Sequence, residues 1–155
     1  MESSELLGTR LRLLLDLLDD GVTALYPSLG LAGFRPRFTP ILRQLAAEGP
    51  ASIRDLARAI GVTHSAASQT VAQMAKEDLV ALSPGADARQ RIVRLTGKAE
   101  ALLPALDKEW TATAAAAAEL EAELPYPLSR LIDETLEALR RRPMRDRISA
   151  AARHL

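Results

Sequence analysis

The sequence predicts a mainly α-helical protein carrying one small β-hairpin, and three observations lead there. The 155 residues are 48% hydrophobic but only 3% aromatic, so Leu and Ala supply the apolar mass, and both favour helix. Helix-start signals recur through the first half of the chain, at Thr39-Pro40, at Ser52 with Asp55, and at Thr63. One stretch, between Leu79 and Leu95, changes to the alternation of strands around a turn-rich loop.

Taken in order, residues 2–25 read as one long helix whose apolar positions include Leu6, Leu7, Leu11, Leu14, Leu18 and Val22. That surface is wider than a single amphipathic stripe, so the helix needs cover on more than one side, and a second subunit is its natural source. A connector with Pro27, Gly30, Gly33 and Pro36 follows. Thr39 then serves as N-cap with Pro40 in the first helical position, where a missing N–H costs nothing. Gly49-Pro50 stops that helix. Ser52-Ile-Arg-Asp55 fits a capping box, and the helix it opens buries Ile53, Leu56, Ala57 and Ile60. Gly61 breaks it, Val62 plugs inward, and Thr63 caps a helix running to about Lys76. Two short helices joined by a glycine turn form a helix-turn-helix. Leu79–Leu82 and Arg91–Leu95 are the strands of a hairpin, with the loop Ser83–Asp87 between them. A hairpin in that place is a wing. Thr96 caps the next helix, in which Thr111–Ala118 is mostly Ala and Pro104 predicts a kink or short break. Pro125-Tyr-Pro127 ends it. A further amphipathic helix uses Leu128, Leu131, Ile132, Leu136 and Leu139, and a short one reaches about Ala152.

Composition narrows the function classes. With no cysteine, disulfides, thiolate zinc sites and thiol-based sensing are excluded. Two histidines, His64 and His154, make no metal cluster, and no cofactor or metal is expected. No apolar run reaches the ~18 residues of a membrane span, and the first residues lack the pattern of a signal peptide, so the expectation is a cytoplasmic protein with no membrane partner. Net charge is zero, but residues 1–34 carry −3, residues 35–94 carry +4 and residues 95–155 carry −1. The positive excess therefore sits on the helix-turn-helix and wing, as nucleic-acid binding requires. An enzyme is not expected. His64 and Ser65 are adjacent, and helical neighbours point about 100° apart, which denies them a nucleophile–base geometry.

The order of elements, and four stretches within it, resemble the MarR family: Gly49-Pro-Ala-Ser-Ile-Arg-Asp-Leu-Ala-Arg-Ala-Ile-Gly-Val62, Asp78-Leu-Val80, Asp87-Ala-Arg89 and Leu95-Thr96. The similarity is close over residues 38–100, and the flanking helices match in length and character. It implies one domain, 1–155, with a winged helix-turn-helix at 38–96 and dimerisation helices at 1–30 and 97–155. It further implies a sequence-specific transcriptional regulator, usually a repressor, that binds double-stranded DNA as a homodimer. Two departures stand out. Asp78 occupies a place the family commonly gives to glycine, and Asp tolerates a left-handed backbone better than most residues. Residues Thr63–Ala75 hold no Lys, Arg, Asp or Glu, although the family's recognition helix is often rich in arginine.

Helical spacing turns His64, Ser65, Ser68, Gln69, Ala72 and Gln73 outward from a packed row of Val62, Ala67, Val71 and Met74. Gln pairs bidentately with adenine, and serine bonds to several bases. Attraction to phosphate then falls to Arg89 and Arg91 in the wing, followed by Arg54, Arg58 and Lys76. By resemblance Arg89 enters the minor groove from the wing tip, and Asp87 positions it. Arg140–Arg142 complement a helix dipole instead. Tyr26, Phe34, Phe38 and Trp110 read first as core or interface residues. The resemblance also allows them to line a crevice for a small aromatic or phenolic effector. The alternative to DNA binding is a winged-helix module that docks another protein through its neutral helix.

Overall fold

The computed structural model describes residues 6–31, 33–85 and 90–153. The chain divides into two compact units, Met1–Lys108 and Glu109–Leu155. In the first unit the elements are α1 (Leu7–Thr23), α2 (Thr39–Glu48), β1 (Ala51–Ser52), α3 (Ile53–Ile60), α4 (His64–Lys76), β2 (Val80–Pro84) and β3 (Arg91–Leu95). Helix α5 (Gly97–Ala122) begins there and continues into the second unit, which adds α6 (Leu128–Arg141) and α7 (Met144–Ala152). This is the mainly α class with a small antiparallel sheet.

The core of the first unit joins Phe38, Ile41, Leu42 and Leu45 to Leu56 of α3, to Ala67, Val71 and Met74 of α4, and to Leu79, Val80 and Val93 of the sheet, all buried. The sheet order is β1-β3-β2, antiparallel throughout. β2 pairs with β3 from Val80↔Leu95 to Pro84↔Arg91, and Gly85 N–H then donates to the Gln90 carbonyl at 2.9 Å. β1 is a strand that periodicity does not reveal. Two residues are too short to alternate, and Ala51 and Ser52 are held by pairing with Val93 and Ile92.

Local chemistry explains how α3 and α4 are delimited. Ser52 caps α3, its Oγ accepting the Asp55 N–H at 3.1 Å. The same hydroxyl donates to the Asp55 carboxylate at 2.7 Å, so the box closes side chain to side chain in place of the reciprocal amide contact. Thr63 Oγ1 accepts the Ala66 N–H and caps α4. Both helices end in Schellman turns, in which the last amides fold back onto free carbonyls. For α3, Val62 N–H reaches the Ala57 carbonyl and Gly61 N–H that of Arg58, with Gly61 left-handed. For α4, Leu79 N–H reaches Met74 O at 2.9 Å and Asp78 N–H reaches Ala75 O at 3.1 Å, with Asp78 at φ 57°. Asp78 thus adopts the backbone that glycine serves best.

Four expectations are corrected. Thr39 does not cap α2: a 3-10 turn, Pro36–Phe38, runs straight into the helix, and Thr39 is already helical at φ −51°, ψ −50°. Val62 does not plug inward but is 44% exposed, because the Schellman turn uses its amide and turns its side chain out. β2 reaches Pro84, later than the sequence suggests, since Pro at the outer end of an edge strand interrupts no inner rung. Of the kink or short break expected at Pro104, the break is absent, and α5 runs through the proline. A proline there removes a single i→i−4 bond, and the 26-residue helix absorbs that loss.

Asp78→Gly is expected to raise the stability of the fold by about 0.5–1 kcal/mol by relieving the left-handed strain, and Asp78→Val to lower it. Urea denaturation of both variants measures the pair.

Candidate nucleic-acid interface

Helix α4 is fixed by one face. Ala67, Val71 and Met74, spaced by four and three residues, are the buried row. Ser65, Gln69, Ala72 and Lys76 repeat at a similar spacing on the opposite side and are all exposed or nearly so. His64, the first helical residue, is exposed as well. Ser68 is half-buried at the flank of this stripe. Gln73 is also half-buried, and its Oε1 is shut off from solvent with no hydrogen-bond partner among the described residues. Of the polar side chains expected to face outward, then, His64, Ser65 and Gln69 stand clear of the protein, and Ser68 and Gln73 are partly covered.

Exposed basic residues lie on α3, at the end of α4 and on β3. Arg54, the second residue of α3, is exposed. Arg58 faces Asp55 at 3.6 Å, an exposed pair of little energetic weight. Lys76 closes α4, and Arg91 stands exposed at the outer end of β3, opposite Pro84. Arg94 reaches across the hairpin and donates to Ser83 Oγ at 2.8 Å, which stiffens the wing. Asp87 and Arg89 lie outside the described residues.

The aromatic residues separate. Tyr26, Phe34 and Phe38 form a ladder of edge-to-face contacts, with ring centroids 5.3 and 5.7 Å apart. All three are buried, Phe38 completely, so their first role is core. Trp110 is half-buried and belongs to the second unit. An open groove of about 440 Å³ does lie beside the ladder, lined by Asp19 and Thr23 of α1 and by Phe34, Arg35 and Arg37. Composition hides this groove, because its polar lining is divided between α1 and a connector with no periodic pattern.

Residues 33–90 match the model of the MarR family. That match spans α2 to β2 and stops short of β3. No curated protein matches the sequence. Among solved structures, the chain is similar to the organohalide-sensing transcriptional regulator RdhR, known ligand-free and bound to 2,4-dichlorophenol. The ligand-free form gives a TM-score of 0.67 at 19% identity, over 93% of this chain and 83% of that one. A MarR family regulator from Neisseria meningitidis gives 0.58 at 22% identity, over 97% and 99%. The regulator MOSR of M. tuberculosis, in complex with DNA, gives 0.63 at 20% identity, over 99% of each chain. At such identities the likeness establishes the fold.

Within this winged-helix unit α4 is the second helix of the helix-turn-helix. Sequence spacing placed its outward face correctly at Ser65, Gln69 and Ala72. The contacts of α4 with the start of α5 were beyond it: Lys98 Nζ donates to the Glu77 carbonyl at 2.6 Å, and Thr96 Oγ1 to the Asp78 carbonyl at 2.6 Å. Pattern signals Thr96 as a helix cap, but a lysine bonded to a backbone carbonyl 21 residues away leaves no trace in sequence spacing.

Phe38→Ala is expected to cost about 3–5 kcal/mol of stability, as removal of a fully enclosed ring does. His64→Ala on the exposed stripe should stay within about 0.5 kcal/mol of the parent. Chemical denaturation distinguishes a core ladder from a loosely lined crevice by the first value.

Proposed function

We propose that the chain is a DNA-binding transcriptional regulator that acts as a homodimer, with residues 38–96 reading DNA and residues 1–30 and 97–155 forming the dimerisation part. The observation that carries this reading is the outward stripe Ser65–Gln69–Ala72, on a helix whose opposite face is consumed by the core, together with exposed cations at Arg54 of α3, Lys76 in its own last turn and Arg91 of β3. Such a helix suits the major groove, where Gln69 pairs with adenine and Ser65 with either partner of a base pair. Non-specific attraction comes from those cations, and Arg89, with Asp87 beside it in sequence, extends them to the wing tip and the minor groove. The regulator MOSR, which shares the fold, is known in complex with DNA, and this supports the DNA-binding reading.

Dimerisation is supported by what α1 leaves uncovered. None of its residues is buried, and Leu7, Leu11, Leu13, Leu15 and Leu17 are each about half exposed or more. In the second unit Leu131, Ile132 and Leu136 of α6 and Met144 and Ile148 of α7 are similarly open. Apolar surface on this scale marks an association face. A two-fold dimer addresses half-sites about one helical turn apart on a near-palindromic operator. We further propose that it represses, and that a small aromatic or phenolic effector releases it. The groove beside Phe34 offers such a ligand a place, with Arg35 and Arg37 to receive a phenolate. The RdhR complex with 2,4-dichlorophenol supports that ligand class.

One observation favours a second reading: α4 holds no charged side chain from His64 to Ala75, so its face also suits a protein partner. Salt separates the two. DNA affinity falls steeply with ionic strength through counterion release, and a neutral protein interface does not require this.

Selection from a random DNA pool is expected to return an inverted repeat with half-sites about 10 bp apart; enrichment of a single asymmetric site would refute the dimeric reading. Arg89→Ala should weaken binding to every sequence alike, whereas Gln69→Ala should change base preference at one position by about 1–3 kcal/mol. If Arg89→Ala binds as the parent does, the wing plays no part. For the dimer, light scattering at micromolar concentration should give twice the chain mass. Paired Leu13→Glu and Leu17→Glu substitutions should return it to the monomer value.

A further inference from the structure

The C-terminal turn of α4 is fastened to the start of α5 more firmly than either helix requires for its own ending. Within α4 the carbonyls of Gln73, Met74 and Ala75 receive the amides of Glu77, Leu79 and Asp78, which completes the helix. Three carbonyls of the turn that follows all bond to a single short segment. Glu77 O accepts from Lys98 Nζ at 2.6 Å, Asp78 O accepts from Thr96 Oγ1 at 2.6 Å, and Leu79 O accepts from Thr96 N–H at 3.1 Å. The Thr96 hydroxyl also accepts the Ala99 N–H at 3.2 Å and so caps α5. One side chain therefore ends the turn of α4 and begins α5. The Lys98 ammonium stands at the negative end of the α4 dipole, where a cation is favoured. A second segment approaches the same turn, since a Cβ on Gly33 would come within 3.2 Å of Glu77 Oε2.

We propose that Thr96 and Lys98 are positioning residues that set the angle of α4 against DNA without touching it. This role rests on the DNA-binding reading above. Its physical basis is the neutrality of the recognition stripe. With no Lys or Arg between His64 and Ala75, the only cation of α4 is Lys76 in its last turn, and one point charge on a flexible stem does not set the angle of the Ser65–Gln69 face in the groove. Bidentate pairing by Gln69 needs its amide held within about 0.5 Å and 10–20° of the productive geometry. That orientation must come from the protein, and it comes from both ends of α4: the Thr63 cap at one, and the Thr96–Lys98 tie at the other. Loosening the tie costs discrimination between sequences, while attraction to phosphate, supplied by the exposed cations, remains.

The test uses the full chain and its Lys98→Met, Thr96→Val and Thr96→Ser variants. Binding is followed by fluorescence anisotropy over a salt series, on the sequence recovered from a random pool and on shuffled DNA. Lys98→Met and Thr96→Val should each lower the ratio of specific to non-specific affinity about 5- to 10-fold, the size expected for removing one hydrogen bond per protomer of a dimer. The slope of log affinity against log salt should not change. Thr96→Ser, which keeps the hydroxyl, should retain the parent ratio. Thr96→Val also removes the cap of α5, so Lys98→Met decides if the valine variant does not fold. A slope shallower by about 0.9 per phosphate left unneutralised, with the ratio preserved, would make Lys98 a phosphate-binding residue and overturn the proposal. Variants indistinguishable from the parent would overturn it too and leave the DNA reading standing. A parent chain that selects no sequence would defeat the DNA reading and the positioning role together.

Discussion

The first unit depends on the seating of α4 through a single apolar row. Ala67, Val71 and Met74 are all that the helix gives to the core, and most of its other side is left for solvent or a partner. A row of one small, one medium and one long side chain packs closely but narrowly, so it fixes the depth of the helix more firmly than its rotation or tilt. The remaining features of the unit supply those. The Thr63 cap and the Gly61 turn hold the entry, the start of β2 at Val80 supports the exit, and the Asp78 turn stops the helix after Lys76. The division of labour is physical: hydrophobic contact is non-directional, and hydrogen bonds at the ends carry the direction.

Much of this was legible in sequence because it is local. The Ser52–Asp55 cap, the Gly61 break, the Thr63 cap and the β3 strand each depend on residues within four positions of one another, and each was found. The left-handed Asp78 was also foreseeable, from a glycine position filled by a residue that tolerates that backbone. What escaped was set by partners distant in the chain. β1 exists because β3 pairs with it some forty residues later. Val62 points outward because its amide, not its side chain, closes the α3 turn. Thr39 lost its capping role to a 3-10 turn whose Phe38 the core anchors. Hydrophobicity alone marked Tyr26, Phe34 and Phe38 as core and left a crevice open as well. The edge-to-face ladder places all three in the core, and Phe34 also lines the neighbouring groove, whose polar residues come from α1 and an irregular connector.

The electrostatic arrangement answers the puzzle of a chain with zero net charge. From His64 to Ala75 α4 carries none of the positive excess, which falls on other segments of residues 35–94 and on Lys76 at the helix end. Long-range attraction and short-range discrimination then reside on different side chains. Salt screens the first within a Debye length of about 10 Å at 0.1 M, and the second, made of neutral hydrogen bonds, is screened far less.

The bare leucines of α1 carry one more consequence. A helix with no buried residue of its own gains little from the fold of a single chain and holds its shape chiefly through what covers it. If a second copy supplies that cover, folding and assembly become one equilibrium, and the protein's own concentration enters its stability by mass action. Dilution would then loosen α1 first, and with it the Asp19–Thr23 wall of the groove. The abundance of the protein in its cell would help decide whether that groove is formed at all.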